Sequence, residues 1–288
     1  MPHQITLSDI QVLKKNHEPI SVMTAYDYPF AKLLDESGID MILVGDSLAN
    51  VVLGLDSTKD VKIADMVYHA KAVCRAVQRA CVVGDMPFDS YQLSASDPVR
   101  DARALIEAGC DAVKVEWFSG CIEVVKKLRA AEIPVMGHIG LTPQTVDQLG
   151  GFKVQGRTAD AAGRLFDQAG SLESAGCFAL VLECVPDRVA KVITERLNIP
   201  TIGIGAGPDC DGQVLVLHDA LGILRDHQPK FVKPFCDVAA EVRDGMGRYI
   251  REVKDRSFPD EGRCYGIDDQ EFEIFLRGMK NRDGGLDG

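Results

Sequence analysis

No stretch of this chain approaches the roughly 18 consecutive apolar residues that a membrane-spanning helix needs. The N-terminus, Met1-Pro-His-Gln-Ile-Thr6, has no basic segment followed by an apolar one, so no secretory signal is read there. Nine cysteines are present, but no C-x-x-C pair and no Cys/His cluster at zinc spacing. Their odd number and irregular spacing speak against a disulfide framework, and most are expected to be small core residues in a reducing compartment. Basic residues are in deficit, 32 against 43 acidic ones, for a formal charge of -11. That balance argues against nonspecific binding to nucleic acid or to an anionic membrane, but not against an anionic small molecule held by a local cation. No G-x-S-x-G and no Ser/His/Asp set occurs, which leaves nucleophilic acyl transfer without support. The expectation is a soluble, cytoplasmic protein.

What the chain has instead is four short apolar runs that each end in an acid. They are Met41-Ile-Leu-Val-Gly-Asp46, Cys81-Val-Val-Gly-Asp85, Ala112-Val-Lys-Val-Glu116 and Ala179-Leu-Val-Leu-Glu183. Each run reads as a buried strand and each acid stands where the strand leaves the core. A carboxylate there is costly to desolvate unless it is paired. Further strands are expected near 21–25, 133–138 and 200–204, with a weaker eighth near 217–223. Amphipathic helical patterns lie between them, near 29–37, 62–78, 97–108, 119–131, 158–175 and 187–197. Gly38, Gly109 and Gly176 each close a helix shortly before a strand begins.

About eight strands alternating with helices point to an α/β fold of the (β/α)8 TIM-barrel type. The rival is a doubly wound open sheet, but no G-x-G-x-x-G follows its first strand. Residues 1–262 are read as one barrel domain and 263–288 as a polar, partly disordered extension with a helix near 268–280.

In a barrel of this type the strand ends meet at one mouth, which would bring Asp46, Asp85, Glu116 and Glu183 together. The alternative is that each acid caps a helix or pairs with an arginine. Three carboxylates suit a hard divalent cation such as Mg2+ better than zinc. Lys114 shares a strand face with Glu116, either to bind a substrate carboxylate or form a Schiff base, or simply to pair with Glu116. His138 ends a strand, where it would serve a substrate oxygen or a proton, or be a satisfied core histidine. His69 reads as structural, and His218 as a structural partner of Asp219. Gly203, Gly205 and Gly207 form either a phosphate-cradling loop or a tight turn.

Read as words, the motifs go further. Thr24-Ala-Tyr-Asp-Tyr28, Leu43-Val-Gly-Asp-Ser47, Gly137-His-Ile-Gly-Leu-Thr-Pro-Gln144 and Lys153-Val-Gln-Gly156 stand in order. Val181-Leu-Glu-Cys-Val185, Ile202-Gly-Ile-Gly-Ala-Gly207 and Asp211-Gly-Gln213 follow. Over roughly residues 5–255 the series resembles the 3-methyl-2-oxobutanoate (ketopantoate) hydroxymethyltransferase family.

The resemblance implies a barrel of the phosphoenolpyruvate/pyruvate superfamily. It implies transfer of a hydroxymethyl group from 5,10-methylenetetrahydrofolate to 3-methyl-2-oxobutanoate, with Mg2+, in pantothenate and coenzyme A synthesis. It places Asp46, Asp85 and Glu116 around the metal. Asp46, Ser47, Asp85 and Lys114, with His138, fall beside the ketoacid, and Glu183 becomes the general base. It further implies a homo-oligomer, commonly a decamer. The chain departs from the family at Trp117 and Phe118, where two glycines are usual, at Asp89, where glycine is common, and at Asp60, where proline is usual. Other readings are a carbon–carbon lyase of the same superfamily, whose K-x-C-G-H motif is absent, and a non-catalytic ketoacid-binding barrel.

Overall fold

A computed structural model describes residues 4–93, 96–147, 149–224 and 229–283. Helix α1 (Leu7–Lys15) comes first, begun by a reciprocal cap between Thr6 and Asp9. Then follow β1 (Ile20–Thr24), α2 (Tyr28–Glu36), β2 (Met41–Val44), the single turn α3 (Leu48–Val51), α4 (Ile63–Ala76) and β3 (Cys81–Asp85). The alternation continues through α5 (Pro98–Glu107), β4 (Ala112–Glu116), α6 (Cys121–Ala130), β5 (Val135–Gly140), α7 (Ala159–Ser174) and β6 (Ala179–Glu183). It ends with α8 (Asp187–Arg196), β7 (Thr201–Ile204), β8 (Gly212–Leu215) and the short α9 (Leu217–Ala220). All eight strands pair in parallel, in sequence order, and β8 closes on β1 with Ile20 opposite Gly212. This is the expected (β/α)8 barrel.

Strand periodicity sorts the residues. Side chains two apart share a face, so Ile20 and Val22, Met41 and Leu43, Cys81 and Val83, and Ala179 and Val181 fill the barrel interior. Ala112, Met136, Ile202 and Val214 belong to the same inner cluster. The alternate set, including Ile42, Val44, Val82, Val113, Val115, Leu180 and Leu182, packs outward against the helices. Ile10 of α1 is fully buried in the inner cluster, and α1 is anchored by Lys14, whose ammonium lies 2.7 Å from Asp211. The anticipated helix-ending glycines hold left-handed backbone, with φ of +86° at Gly38, +111° at Gly109 and +99° at Gly176.

Several elements differ from the sequence reading. The eighth strand is Gly212–Leu215, not 217–223, and Leu217–Ala220 is a helical turn. The strand is short and opens on glycine and glutamine, so it carries little apolar signal. Its glycine is required by tertiary closure, because a Cβ on Gly212 would stand 2.5 Å from the Ile20 carbonyl oxygen. Helix α1 was not foreseen, and neither was α10 (Val238–Asp255).

The chain divides into two compact units, Met1–Cys236 and Asp237–Gly288. The first holds all eight strands, and residues 237–262, read from the sequence with the barrel, cluster with the tail. Within the second unit, α10 exposes Val242, Met246, Tyr249, Ile250 and Val253 at helical spacing along one face. Helix α11 (Asp269–Asp283) fulfils the expected helix and runs a little past its expected end, while the remaining tail lies outside the described residues. Among the described residues no helix is long and apolar enough to cross a membrane.

The close approach at the barrel seam makes a direct prediction. Gly212→Ala should lower stability by about 2 kcal/mol, the usual cost of forcing extra volume into packed structure. Urea unfolding followed by circular dichroism measures it, and an unchanged midpoint would contradict the packing described for the β1–β8 seam.

Candidate active site

The same two-residue period that fills the barrel with apolar side chains carries charged ones to its C-terminal end. Asp85 is in phase with Cys81 and Val83, Lys114 and Glu116 with Ala112, His138 with Met136, and Glu183 with Ala179 and Val181. Asp46 reaches the same place from the loop after β2. Asp46, Asp85, Lys114, Glu116 and His138 are all at least 95% buried, while the Glu183 side chain retains 17% exposure. The four strand-end acids therefore do converge, and two basic side chains link them.

Lys114 Nζ lies 3.3 Å from Asp85 Oδ2 and 3.9 Å from Glu116 Oε1. The Asp46 backbone N–H donates to Asp85 Oδ2 at 3.0 Å. His138 stands between two acids, with Nδ1 3.4 Å from Glu116 Oε1 and Nε2 3.3 Å from Glu183 Oε2. Glu183 is thus joined to the other three acids through His138.

The electrostatics follow from this packing. Burial, reinforced by Glu116 and Asp85, pushes the Asp46 carboxyl well above the ordinary carboxylate range. Burial raises Asp85 as well, against the opposing pull of Lys114 and the Asp46 N–H. Burial also acts to raise Glu116, but His138, Lys114 and the Gln144 N–H outweigh it and hold this acid below its usual value. Burial pulls the Lys114 ammonium down, yet Asp85, Glu116 and Asp46 together raise it. For His138, burial and the Lys114 charge are overcome by the two flanking carboxylates, and its pKa rises to about 9. On a protonated ring Nδ1 carries a hydrogen and cannot accept one. The 3.3 Å approach of Lys114 Nζ to Nδ1 is then a contact between like charges, not a hydrogen bond.

Several residues of the site were not singled out from the sequence. Gln144, 1% exposed, donates from Nε2 to Asp46 Oδ2 at 2.8 Å and from its backbone N–H to Glu116 Oε2 at 3.0 Å. Tyr91 donates to Gln144 Oε1 at 2.6 Å and accepts from the Glu116 N–H at 3.0 Å. Tyr26 is hydrogen-bonded to Ser47 at 2.8 Å, and burial, with Asp85 and Asp46 nearby, raises its phenol. The only sequence signal for Gln144 and Tyr26 was their place inside quoted motifs.

Among the described residues, no group of three or more His, Cys, Asp or Glu stands in metal-holding geometry, and the Lys114 ammonium lies within 4 Å of both Asp85 and Glu116. The donor chemistry nevertheless fits a hard cation. Asp46, Asp85 and Glu116 offer only oxygen, and Asp85 Oδ1 is buried without a hydrogen-bond partner among the described residues.

A sequence profile described as Ketopantoate hydroxymethyltransferase matches residues 4–261. The chain belongs to that family. It is 51% identical over 268 residues to 3-methyl-2-oxobutanoate hydroxymethyltransferase of Syntrophomonas wolfei, covering 93% of this chain and 97% of that one. It is 52% identical over 271 residues to the enzyme of the same name from Heliobacterium modesticaldum, covering 94% and 98%. The chain is accordingly an enzyme of the hydroxymethyltransferase type.

Two solved structures share the fold. Phosphoenolpyruvate phosphomutase from Streptomyces platensis has a TM-score of 0.60 at 14% identity, with 97% of each chain covered. A 2,3-dimethylmalate lyase, described as a PEP mutase/isocitrate lyase superfamily member, has a TM-score of 0.59 at 15% identity, with 98% of each chain covered. At that identity the likeness speaks for the barrel alone.

Trp117 and Phe118 are half-buried and pack on the outer core. The Trp117 N–H donates to the His138 carbonyl at 2.9 Å, and Phe118 meets Tyr91 edge-on at 5.5 Å. Both rings line a cavity of about 290 Å³ with Thr142, Thr145, Arg164 and Gln168. Asp89 pairs with Lys62 at 3.1 Å. His69 is tied to the Tyr26 carbonyl at 2.6 Å and remains structural. No His218–Asp219 ion pair forms among the described residues; the His218 ring packs 5.6 Å from Tyr26 instead.

Gly205 and Gly207, at φ of +64° and +82°, form a turn. A Cβ on Gly205 would meet the Phe231 ring at 2.7 Å, and one on Gly207 would meet Asp187 at 2.5 Å. Side chains therefore pack closely on the loop at both glycines.

Lys114 is the buried cation beside Asp85, at 3.3 Å, and shares Glu116 with His138. Lys114→Met should cost about 3–5 kcal/mol, as for removal of one partner from a buried ion pair. Guanidinium unfolding of the purified variant measures this, and a loss near zero would show that the acids are satisfied without it.

Proposed function

We propose that the enzyme transfers a hydroxymethyl group from 5,10-methylenetetrahydrofolate to 3-methyl-2-oxobutanoate, giving 2-dehydropantoate (ketopantoate) for pantothenate and coenzyme A synthesis. The observation that carries the reading is the convergence of Asp46, Asp85, Glu116 and Lys114 at one mouth, with Glu183 reaching it through His138. Family membership and relatives of about half-identical sequence support the same reaction.

The chemistry assigns each residue a task. The ketoacid presents a carboxylate, for which the Lys114 ammonium is the matching charge in a site otherwise rich in acids. Ser47, beside Asp46, offers a hydroxyl to the same ligand. The proton on C3 is too weakly acidic to leave unaided, and Glu183 is the base that takes it. His138, with its ring between Glu116 and Glu183, orients that carboxylate and offers a positive charge toward developing oxyanion character. Asp46, Asp85 and Glu116 are the residues that would hold Mg2+. That ion, when bound, supplies positive charge against the keto oxygen and so makes the C3 proton easier to remove. Water adds to the folate methylene carbon and both of its C–N bonds break, the two water hydrogens going to the folate nitrogens. The C3 carbanion bonds to the resulting formaldehyde-level carbon, whose oxygen takes a proton and becomes the hydroxyl. Across the whole reaction one water is consumed and tetrahydrofolate leaves.

The reading carries a cytoplasmic homo-oligomer with it, a decamer by the family resemblance, and the apolar face of α10 is consistent with self-association. Analytical ultracentrifugation measures the assembly.

Purified protein given Mg2+, 3-methyl-2-oxobutanoate and 5,10-methylenetetrahydrofolate should form 2-dehydropantoate. Absence of product from protein with Mg2+ shown to be bound would overturn the proposal. Glu183→Gln should lower kcat by roughly 10²–10⁴-fold, the usual contribution of a general base. It should also abolish exchange of the C3 hydrogen of the ketoacid in D2O, read by NMR without folate. Exchange at the wild-type rate would remove Glu183 from that role.

A further inference from the structure

Gln144 commits its whole hydrogen-bonding capacity at the site. It lies in the turn Pro143–Thr145 that follows β5. Its two Nε2 hydrogens go to Asp46 Oδ2 at 2.8 Å and the Met86 carbonyl at 3.0 Å. Its Oε1 accepts from Tyr91 Oη at 2.6 Å and Gln92 Nε2 at 2.9 Å. Its backbone N–H donates to Glu116 Oε2 at 3.0 Å. The amide has one workable orientation, since turning it over would set its oxygen against a carboxylate and a carbonyl. One buried residue thereby grips two acids from strands with only β3 between them, Asp46 from the loop after β2 and Glu116 from β4.

The grip is selective by atom. It takes Oδ2 of Asp46 and Oε2 of Glu116, so turning either carboxylate to offer both oxygens to one ion would break a buried hydrogen bond. We propose that Gln144 is a positioning residue that sets cation choice, holding Asp46 and Glu116 to one oxygen each and so favouring Mg2+ over Ca2+. The physical basis is the difference between the ions. Mg2+ is small, demands near-octahedral geometry and accepts single oxygens while keeping several waters. Ca2+ takes six to eight oxygens and draws on two-oxygen carboxylate contacts. Tyr91 adds rigidity, because the hydroxyl that orients the Gln144 amide also accepts the Glu116 N–H. The inference rests on the divalent-cation reading of the site given above.

The test is isothermal titration of the purified full chain with MgCl2 and with CaCl2, in the absence of substrates. Gln144→Met keeps the length of the side chain and the backbone N–H to Glu116 but removes the amide. It should weaken Mg2+ binding roughly 10-fold or more, as loss of partners that orient metal ligands commonly does. Ca2+ should lose less, so the ratio of the two affinities narrows. Tyr91→Phe should shift the ratio in the same direction by a smaller factor, and it serves if Gln144→Met does not fold by circular dichroism.

An unchanged ratio in a folded variant, including equal weakening toward both ions, would overturn the proposal while leaving the cation site in place. Wild-type protein that binds neither ion would overturn the cation reading itself, and the proposal with it.

Discussion

A β-strand sends every second side chain to the same side, and a closed ring of eight parallel strands gives all those side chains one shared interior. The rest of this structure depends on that constraint. Its lower levels are apolar, with Ile20, Met41, Cys81 and Ala179 among their members. Its upper level carries Asp85, Lys114, Glu116, His138 and Glu183 in the same phase. A slip of one residue in β4 would turn Lys114 and Glu116 outward among the helices and bring Val113 and Val115 inside. Placement of the charged side chains and packing of the core are therefore set by the same register.

The constraint also creates the electrostatic problem that the site resolves. Carboxylates forced into a buried ring repel one another, and burial drives Asp46 and Asp85 toward their protonated forms. The structure answers with interleaved positive groups: Lys114 faces Asp85 and Glu116, and His138 divides Glu116 from Glu183. The remaining lone pairs are met by neutral donors, chiefly Gln144 and the Asp46 backbone N–H. Asp85 Oδ1 stays without a partner among the described residues, a buried acceptor of the kind a cation satisfies. Glu183, the proposed base, is the acid in this set that keeps some contact with solvent.

Much of the fold was legible because its signals are local. Apolar runs of strand length, helical spacing between them and the glycines at 38, 109 and 176 each report on a few adjacent residues. Seven of the strands were placed near their observed positions on such evidence. The eighth was misplaced because Gly212–Leu215 is specified by its neighbours, above all by the lack of room beside Ile20. Helix α1 has a capping box, Thr6 with Asp9, that could have been read, but its apolar residues serve the barrel floor instead of a repeat between strands. His218 shows the reverse error: adjacency to Asp219 suggested a pair, yet residues next to each other in a helical turn point in different directions.

By itself the sequence determined the barrel class, the four acids at strand ends and, through its motif series, the family. Each depends on residue type and short-range order, which the chain carries explicitly. Tertiary structure alone decided that Lys114 lies between Asp85 and Glu116, that His138 bridges to Glu183, and that Gln144 holds two acids at once. Asp46 and Gln144 are 98 residues apart along the chain, yet 2.8 Å separates their polar atoms. Contacts of that kind follow from barrel closure and side-chain packing, and no local pattern encodes them.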